Sequence, residues 1–257
     1  MDLHAFLFDL DGTLYTDAGA VPGAVHLLHT LRTRGVPFRL VTNTTSRPRR
    51  KLVERLRGYG FTVEAGEIAT PVTAGAEIAR SRGFRRIAPF VHEATLEDLE
   101  GFELIHEAEG QPEVVMVGDL GAHWDFSLMQ KAFAFLMAGA DLIAFSRDRY
   151  WMRGDGLTLD AGPFVVGLEY ASGKTATIAG KPAPEFFHAA VSGIPVLAGT
   201  VPREVIMVGD DLWSDVEGAQ RAGYQGWLVR TGKFRPDLLA GSGVTPDRVL
   251  DSVADLP

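Results

Sequence analysis

Seven consecutive residues, Phe8-Asp9-Leu10-Asp11-Gly12-Thr13-Leu14, place two carboxylates two positions apart directly behind an apolar run. A carboxylate attacks phosphorus only when it is ionised and held in line, and a nearby divalent cation achieves both. Asp9 is placed for that attack, and Asp11 could protonate a leaving oxygen and later activate water. Gly12 lets the chain turn tightly, and Thr13 can tie the turn through its hydroxyl. An Asp-Gly pair alone is ordinary turn chemistry; the whole string behind a strand is far more specific.

Three more groups carry compatible chemistry. Thr42-Asn43 offer a hydroxyl and an amide to phosphate oxygens, although both residue types are also common turn formers and helix caps. Lys181, between Gly180 and Pro182, offers a cation on a long stem that can neutralise a phosphate and the attacking carboxylate together. Lysines usually sit solvated at the surface, but here five lysines stand against twenty arginines, which makes each lysine less incidental. Gly209-Asp210-Asp211-x-x-x-Asp215 supplies carboxylate oxygens without histidine or sulfur, a donor set suited to Mg²⁺. The same aspartates read equally as the start of a helix over 214–222, and the two roles are compatible.

These groups need elements to converge. Predominantly apolar runs at 5–8, 37–41 and 205–208 read as buried strands, each followed by the polar residues just named. A helical period over 23–34 separates the first two strands, so strand, helix, strand predicts a parallel sheet. In open sheets of that kind, ligands lie outside the carboxyl ends of the strands. The middle of the chain has its own set: helices at 73–80 and 127–137, and strands at 86–91, 113–117 and 141–145. That is long enough for a second, smaller α/β domain inserted into the first. Val114-Val115-Met116-Val117-Gly118-Asp119 echoes Val205-Ile206-Met207-Val208-Gly209-Asp210. Only the later copy continues into further clustered carboxylates, so the metal is assigned there and Asp119 to a strand-to-loop exit.

Two other patterns carry less. Ser172-Gly173-Lys174-Thr175 looks like the tail of a P-loop, but Leu168 stands where that motif needs glycine. His26 and His29 share a helix face with no matching carboxylate motif, and read as structural or solvent-facing.

A net charge of −8 is not the balance of a nucleic-acid binder. The absence of cysteine excludes disulfides, thiolate metal sites and cysteine nucleophiles. No apolar run reaches the length of a membrane span, and no basic stretch leads into a secretory apolar run, so a cytoplasmic protein with no membrane partner is expected.

In order, Asp9-Leu10-Asp11-Gly12-Thr13, Thr42-Asn43, Lys181 and Gly209-Asp210-Asp211-x-x-x-Asp215 resemble the four motifs of the haloacid dehalogenase superfamily. The resemblance implies a doubly wound, parallel-sheet, Rossmann-like α/β core with an inserted smaller α/β cap domain. It also implies Asp9 as nucleophile and Asp11 as general acid/base, with Thr42 and Lys181 anchoring phosphate and charge. Asp210 would be a metal ligand, and Asp211 and Asp215 would support the metal directly or through water. Asp11 favours phosphotransfer, because the dehalogenase branch lacks a second aspartate.

About 30 residues separate Asp11 from Thr42 and about 140 separate Asn43 from Lys181. The large insert therefore resembles a type II cap, with the core at residues 1–70 and 172–257 and the cap at 71–171. Thr42-Asn43-Thr44-Thr45, Gly180-Lys181-Pro182 and Val229-Arg230-Thr231-Gly232-Lys233 are similar to subclass IIA, the nitrophenylphosphatase-like group. Thr44-Thr45 and the stretch 148–167 look nearest to the phospholysine phosphohistidine inorganic pyrophosphate phosphatase branch. Thr44 departs from the Thr-Asn-Asn pattern common in the subclass.

The implied activity is Mg²⁺-dependent hydrolysis of a small phosphorylated metabolite through an aspartyl-phosphate. The backbone around Leu10 and Asp11 would hold phosphate oxygens, and Asp9, Asp11, Asp210, Asp211 and Asp215 would surround the metal. Alternatives on the same core are hydrolysis of inorganic pyrophosphate or of phosphoramides. A non-catalytic phospholigand-binding protein would predict loss of Asp9 or Asp11, and both are present. Within the cap, Ser146-Arg147-Asp148-Arg149-Tyr150-Trp151 is the candidate substrate loop, with Arg147 and Arg149 suited to anionic groups. The resemblance further implies a homodimer through the cap.

Overall fold

The computed structural model describes residues 4–107, 110–153, 156–194 and 204–256. Within the stretch 148–167, residues 154–155 lie outside the described set. The chain divides into two compact units. One comprises Met1–Thr42, Arg49–Ala69 and Lys181–Pro257; the other comprises Asn43–Pro48 and Thr70–Gly180.

The first unit opens with β1 (Ala5–Asp9), the small antiparallel hairpin β2 (Tyr15–Thr16) and β3 (Gly19–Ala20), then α1 (Ala24–Thr33). β4 (Phe38–Val41), α2 (Arg49–Gly58) and β5 (Ile68–Ala69) follow. All five residues of β1 are buried, as a central parallel strand covered on both faces requires. On α1, Leu27, Leu28 and Leu31 turn one stripe inward.

The second unit contains α3 (Pro71–Ser81), β6 (Arg86–Phe90), β7 (Glu103–Leu104), β8 (Val114–Val117), α4 (Phe126–Met137) and β9 (Asp141–Ala144). It continues with β10 (Tyr150–Arg153), β11 (Gly156–Leu159), α5 (Gly162–Ser172) and β12 (Thr177–Ile178). Thr70 caps α3 by accepting from the Thr73 amide, and Asp125 caps α4 through the Leu128 amide at 2.8 Å. Strands β12-β9-β8-β6-β7 form a parallel sheet of their own, while β10 and β11 pair as an antiparallel hairpin. Trp124 is stacked between Phe90 and Phe164 in this unit's core.

The chain then completes the first unit with α6 (Pro184–Ser192), β13 (Val205–Gly209), α7 (Gly218–Arg221), β14 (Gln225–Val229), α8 (Pro236–Gly241) and β15 (Arg248–Leu250). Its sheet is parallel throughout, in the order β15-β14-β13-β1-β4-β5. The register sets Asp9 against Val41 and Phe8 against Val208, so Asp9, Thr42 and Asp210 emerge at one sheet edge. The α/β architecture expected from the sequence is present in both units.

The helix expected over 214–222 is a π-helical turn, Leu212–Glu217, running into α7. The Val216 amide reaches back to the Asp211 carbonyl, widening the turn. The lysine-threonine tail after Ser172 is likewise explained: Gly173 ends α5 in the left-handed conformation, whereas a phosphate loop would begin a helix. His26 and His29 are exposed on α1.

Candidate active site

The turn after β1 is organised around one carbonyl. Leu10 accepts from the amides of Thr13, Leu14 and Tyr15, and the Gly12 amide donates to Tyr15 O at 2.7 Å. Thr13 Oγ1, expected to tie this turn, is buried without a hydrogen-bond partner among the described residues. The tie comes instead from Thr231, whose hydroxyl donates to Gly12 O at 2.6 Å.

Asp9, Lys181, Asp210 and Asp215 converge and are all buried. Lys181 Nζ donates to Asp9 Oδ1 at 2.5 Å and to Asp215 Oδ1 at 2.6 Å, joining residues 172 and 34 positions apart. Asp9, Asp210 and Asp215 each offer an oxygen, and these lie within 4.8 Å of one another. The π-helical turn brings Asp215 back over the end of β13, where a Cβ on Gly209 would run into its carboxylate.

Burial pushes Asp210 up to about 6, although the Lys233 amide, donating at 2.6 Å, opposes the shift. Burial likewise raises Asp9 against the pull of Lys181, with Asp215 adding to the rise. Desolvation works against the Lys181 ammonium, but Asp215 and Asp9 outweigh it and keep the lysine charged. Three buried carboxylates facing one ammonium leave negative charge poorly compensated. Hard oxygen donors converging under that excess charge fit a divalent cation.

Asp11 and Asp211 stand outside this three-carboxylate cluster. Asp211 Oδ1 accepts the amides of Trp213 and Ser214, and Oδ2 takes Lys233 Nζ at 3.0 Å. Despite burial, those amides and Lys233 hold its carboxyl below the usual range. Asp211 is therefore a helix cap that touches the cluster through its own amide, which donates to Asp215 Oδ2 at 3.1 Å. Asp11 is more open and is bonded by the Tyr15 hydroxyl at 2.9 Å. Thr42 is buried at the end of β4, its amide donating to Ala69 O at 3.2 Å.

Asn43 and Thr44 belong to the second unit. There Gly180 lets the backbone approach Phe145 and Asn43 closely: a Cβ on it would collide with Phe145 O and lie 3.3 Å from Asn43 Oδ1. Arg147 and Arg149 line a cleft of about 670 Å³ with Tyr150, Leu159, Gly162, Pro163 and Val166. Arg147 pairs there with Glu169 at 2.7 Å, and the Arg149 guanidinium lies 5.6 Å from the Tyr150 ring centroid. Asp119 accepts the Gly121 amide at 2.7 Å, an ordinary exit turn after β8.

The motifs did not single out Tyr15, Arg55 or the individual roles of Thr231, Gly232 and Lys233. Tyr15 had a signal in its place on the turn four residues after Asp11. Arg55, one of several arginines on α2, had none.

The haloacid dehalogenase-like hydrolase family matches residues 6–104, and the HAD-hydrolase-like family matches residues 178–256. Haloacid dehalogenase-like hydrolase domain-containing protein 2 of Bos taurus is 41% identical over 233 residues, 91% of this chain and 86% of that protein. The chain belongs to the haloacid dehalogenase-like hydrolases. This hydrolase is also similar to the phospholysine phosphohistidine inorganic pyrophosphate phosphatase of Bos taurus, at 36% identity over 98% of this chain and 92% of that one. Among solved structures, p-nitrophenyl phosphatase from Archaeoglobus fulgidus matches it with a TM-score of 0.85 and 28% identity, covering 99% and 98% of the two chains. The chain is a haloacid dehalogenase-like phosphatase of subclass IIA, a family that works with a divalent metal.

Proposed function

We propose that this phosphatase is Mg²⁺-dependent and hydrolyses small phosphorylated metabolites through an aspartyl-phosphate on Asp9. The supporting observation is Lys181 bridging Asp9 and Asp215 inside the cluster completed by Asp210. Asp9 attacks phosphorus as the bond to the leaving alcohol breaks, and Asp11 gives its proton to the departing oxygen. Water deprotonated by Asp11 then attacks the phosphoryl group, releasing inorganic phosphate and restoring Asp9. Lys181 counters the burial that disfavours the Asp9 carboxylate and offsets phosphate charge, while Thr42 and the backbone around Leu10 and Asp11 orient the oxygens. Asp9, Asp210 and Asp215 would hold Mg²⁺, which when bound supplies charge neutralisation at the phosphoryl oxygens. Asp211 acts on that cluster through its bond to Asp215.

Asp9→Asn should remove nearly all turnover of a phosphometabolite panel assayed with Mg²⁺, while circular dichroism shows an unchanged fold. Full activity in that variant would overturn the assignment. A second reading, cleavage of pyrophosphate or P–N bonds, is favoured by the 36% identical relative whose name gives those substrates. Pyrophosphate, phospholysine and phosphohistidine in the same panel separate the two by their relative kcat/KM.

The second unit reads as the cap, with Asn43, Thr44, Arg147 and Arg149 serving the leaving group. It carries eight of the nine exposed large hydrophobics among the described residues, including Phe126, Leu157, Leu159 and Tyr170. That surface supports a homodimer through the cap.

A further inference from the structure

Asp11 is the most open of the acidic groups around the nucleophile, with its side chain 58% exposed. An exposed carboxylate on a turn ordinarily samples several rotamers, and a proton donor that wanders loses most of its effect. Here a buried neighbour restrains it. Tyr15, only 1% exposed, donates its hydroxyl to Asp11 Oδ2 at 2.9 Å. Its ring is fixed from two sides, packing on Tyr59 at 5.3 Å and under the Arg55 guanidinium at 4.6 Å. The Arg55 guanidinium also lies 5.9 Å from the Tyr59 ring centroid, and its Nη1 lies 3.8 Å from Asp11 Oδ1. Each oxygen of Asp11 therefore faces a group anchored in the first unit's core. Burial, reinforced by the Asp11 charge, raises the Tyr15 phenol, so its hydroxyl keeps the proton it donates.

We infer that Tyr15, backed by Arg55, is a positioning residue that holds Asp11 in line to protonate the leaving group. The inference rests on the reading of Asp11 as the acid. It makes a demand that packing alone does not make: the value of Tyr15 depends on how badly the leaving group needs a proton. A p-nitrophenolate departs unaided, whereas an alkoxide does not.

The experiment measures kcat/KM, which reports events up to formation of the phospho-enzyme, for aryl and alkyl phosphates of graded leaving-group basicity. Wild type, Tyr15→Phe, Arg55→Gln and Asp11→Asn are compared, with thermal unfolding as the check on folding. Tyr15→Phe keeps the ring and should fold. It should lose about 10- to 100-fold with glycerol phosphate, mainly in kcat, and about threefold or less with p-nitrophenyl phosphate. Arg55→Gln should follow the same slope more weakly. A uniform loss across the series, or no loss with alkyl phosphates, in Tyr15→Phe would overturn the inference while Asp11→Asn still shows the steep slope. If Asp11→Asn shows no such slope, the acid assignment itself falls, and the inference with it.

Discussion

Asp210 is a carboxylate whose position works against its own charge. Its protonation midpoint moves from 3.8 to about 6 on folding, mainly because it is buried. The folded state therefore binds more protons than the unfolded state between those limits, and stability contributed by this group falls as pH rises through that window. Above it, the ionised group costs on the order of 2–3 kcal/mol. With a chelator present, Asp210→Asn should raise Tm by about 5 °C at pH 7, and the gain should shrink as pH falls toward 4. Added Mg²⁺ should stabilise the wild type more than the variant; calorimetric scans across pH with and without metal check both signs. At this scale the sequence was informative where a residue stood in a spaced motif, as with Asp9, Asp210 and Lys181. It was silent on Arg55 because nothing local distinguishes that arginine from Arg49 or Arg57, and only packing against Tyr15 and Tyr59 does so.

The loop after β14 reaches the cluster by close backbone approach. Gly12 and Gly232 both have positive φ, and a Cβ on either would run into Asp210 Oδ2. The Lys233 amide bonds that same oxygen, while Thr231 holds Gly12. Gly232→Ala should displace Asp210 and weaken Mg²⁺ binding by about 10-fold or more, as measured by calorimetric titration, with little change in secondary structure. The long elements β1, β4, β13, α1 and α4 were legible because continuous or periodic apolar residues mark buried faces. Two-residue strands such as β5, β7 and β12 were not, since so short a pairing leaves no pattern. The helix expected after Asp211 is present, but its first part is wound as the wider π-helical turn that brings Asp215 over Gly209.

For the molecule as a whole, the second unit's exposed apolar surface bears on assembly. Tyr170 is 91% exposed and Phe126 81%. Light scattering should give twice the 27.8 kDa chain mass. Tyr170→Asp should raise the dimer dissociation constant by about 10- to 100-fold.

Chain order has a further consequence. β1 lies at the middle of its sheet, yet its neighbour β13 follows about 200 positions later, Ala5 pairing with Val205. A ribosome adding about 5–20 residues per second needs about 10–40 s to supply that partner. Meanwhile β1 can pair with β4 while its other edge remains an open template for foreign strands. The inserted unit, whose parallel sheet is built entirely from its own strands, can complete itself during the wait. Nascent chains stalled shortly before β13 should therefore bind holdase chaperones strongly, and release should coincide with emergence of that strand.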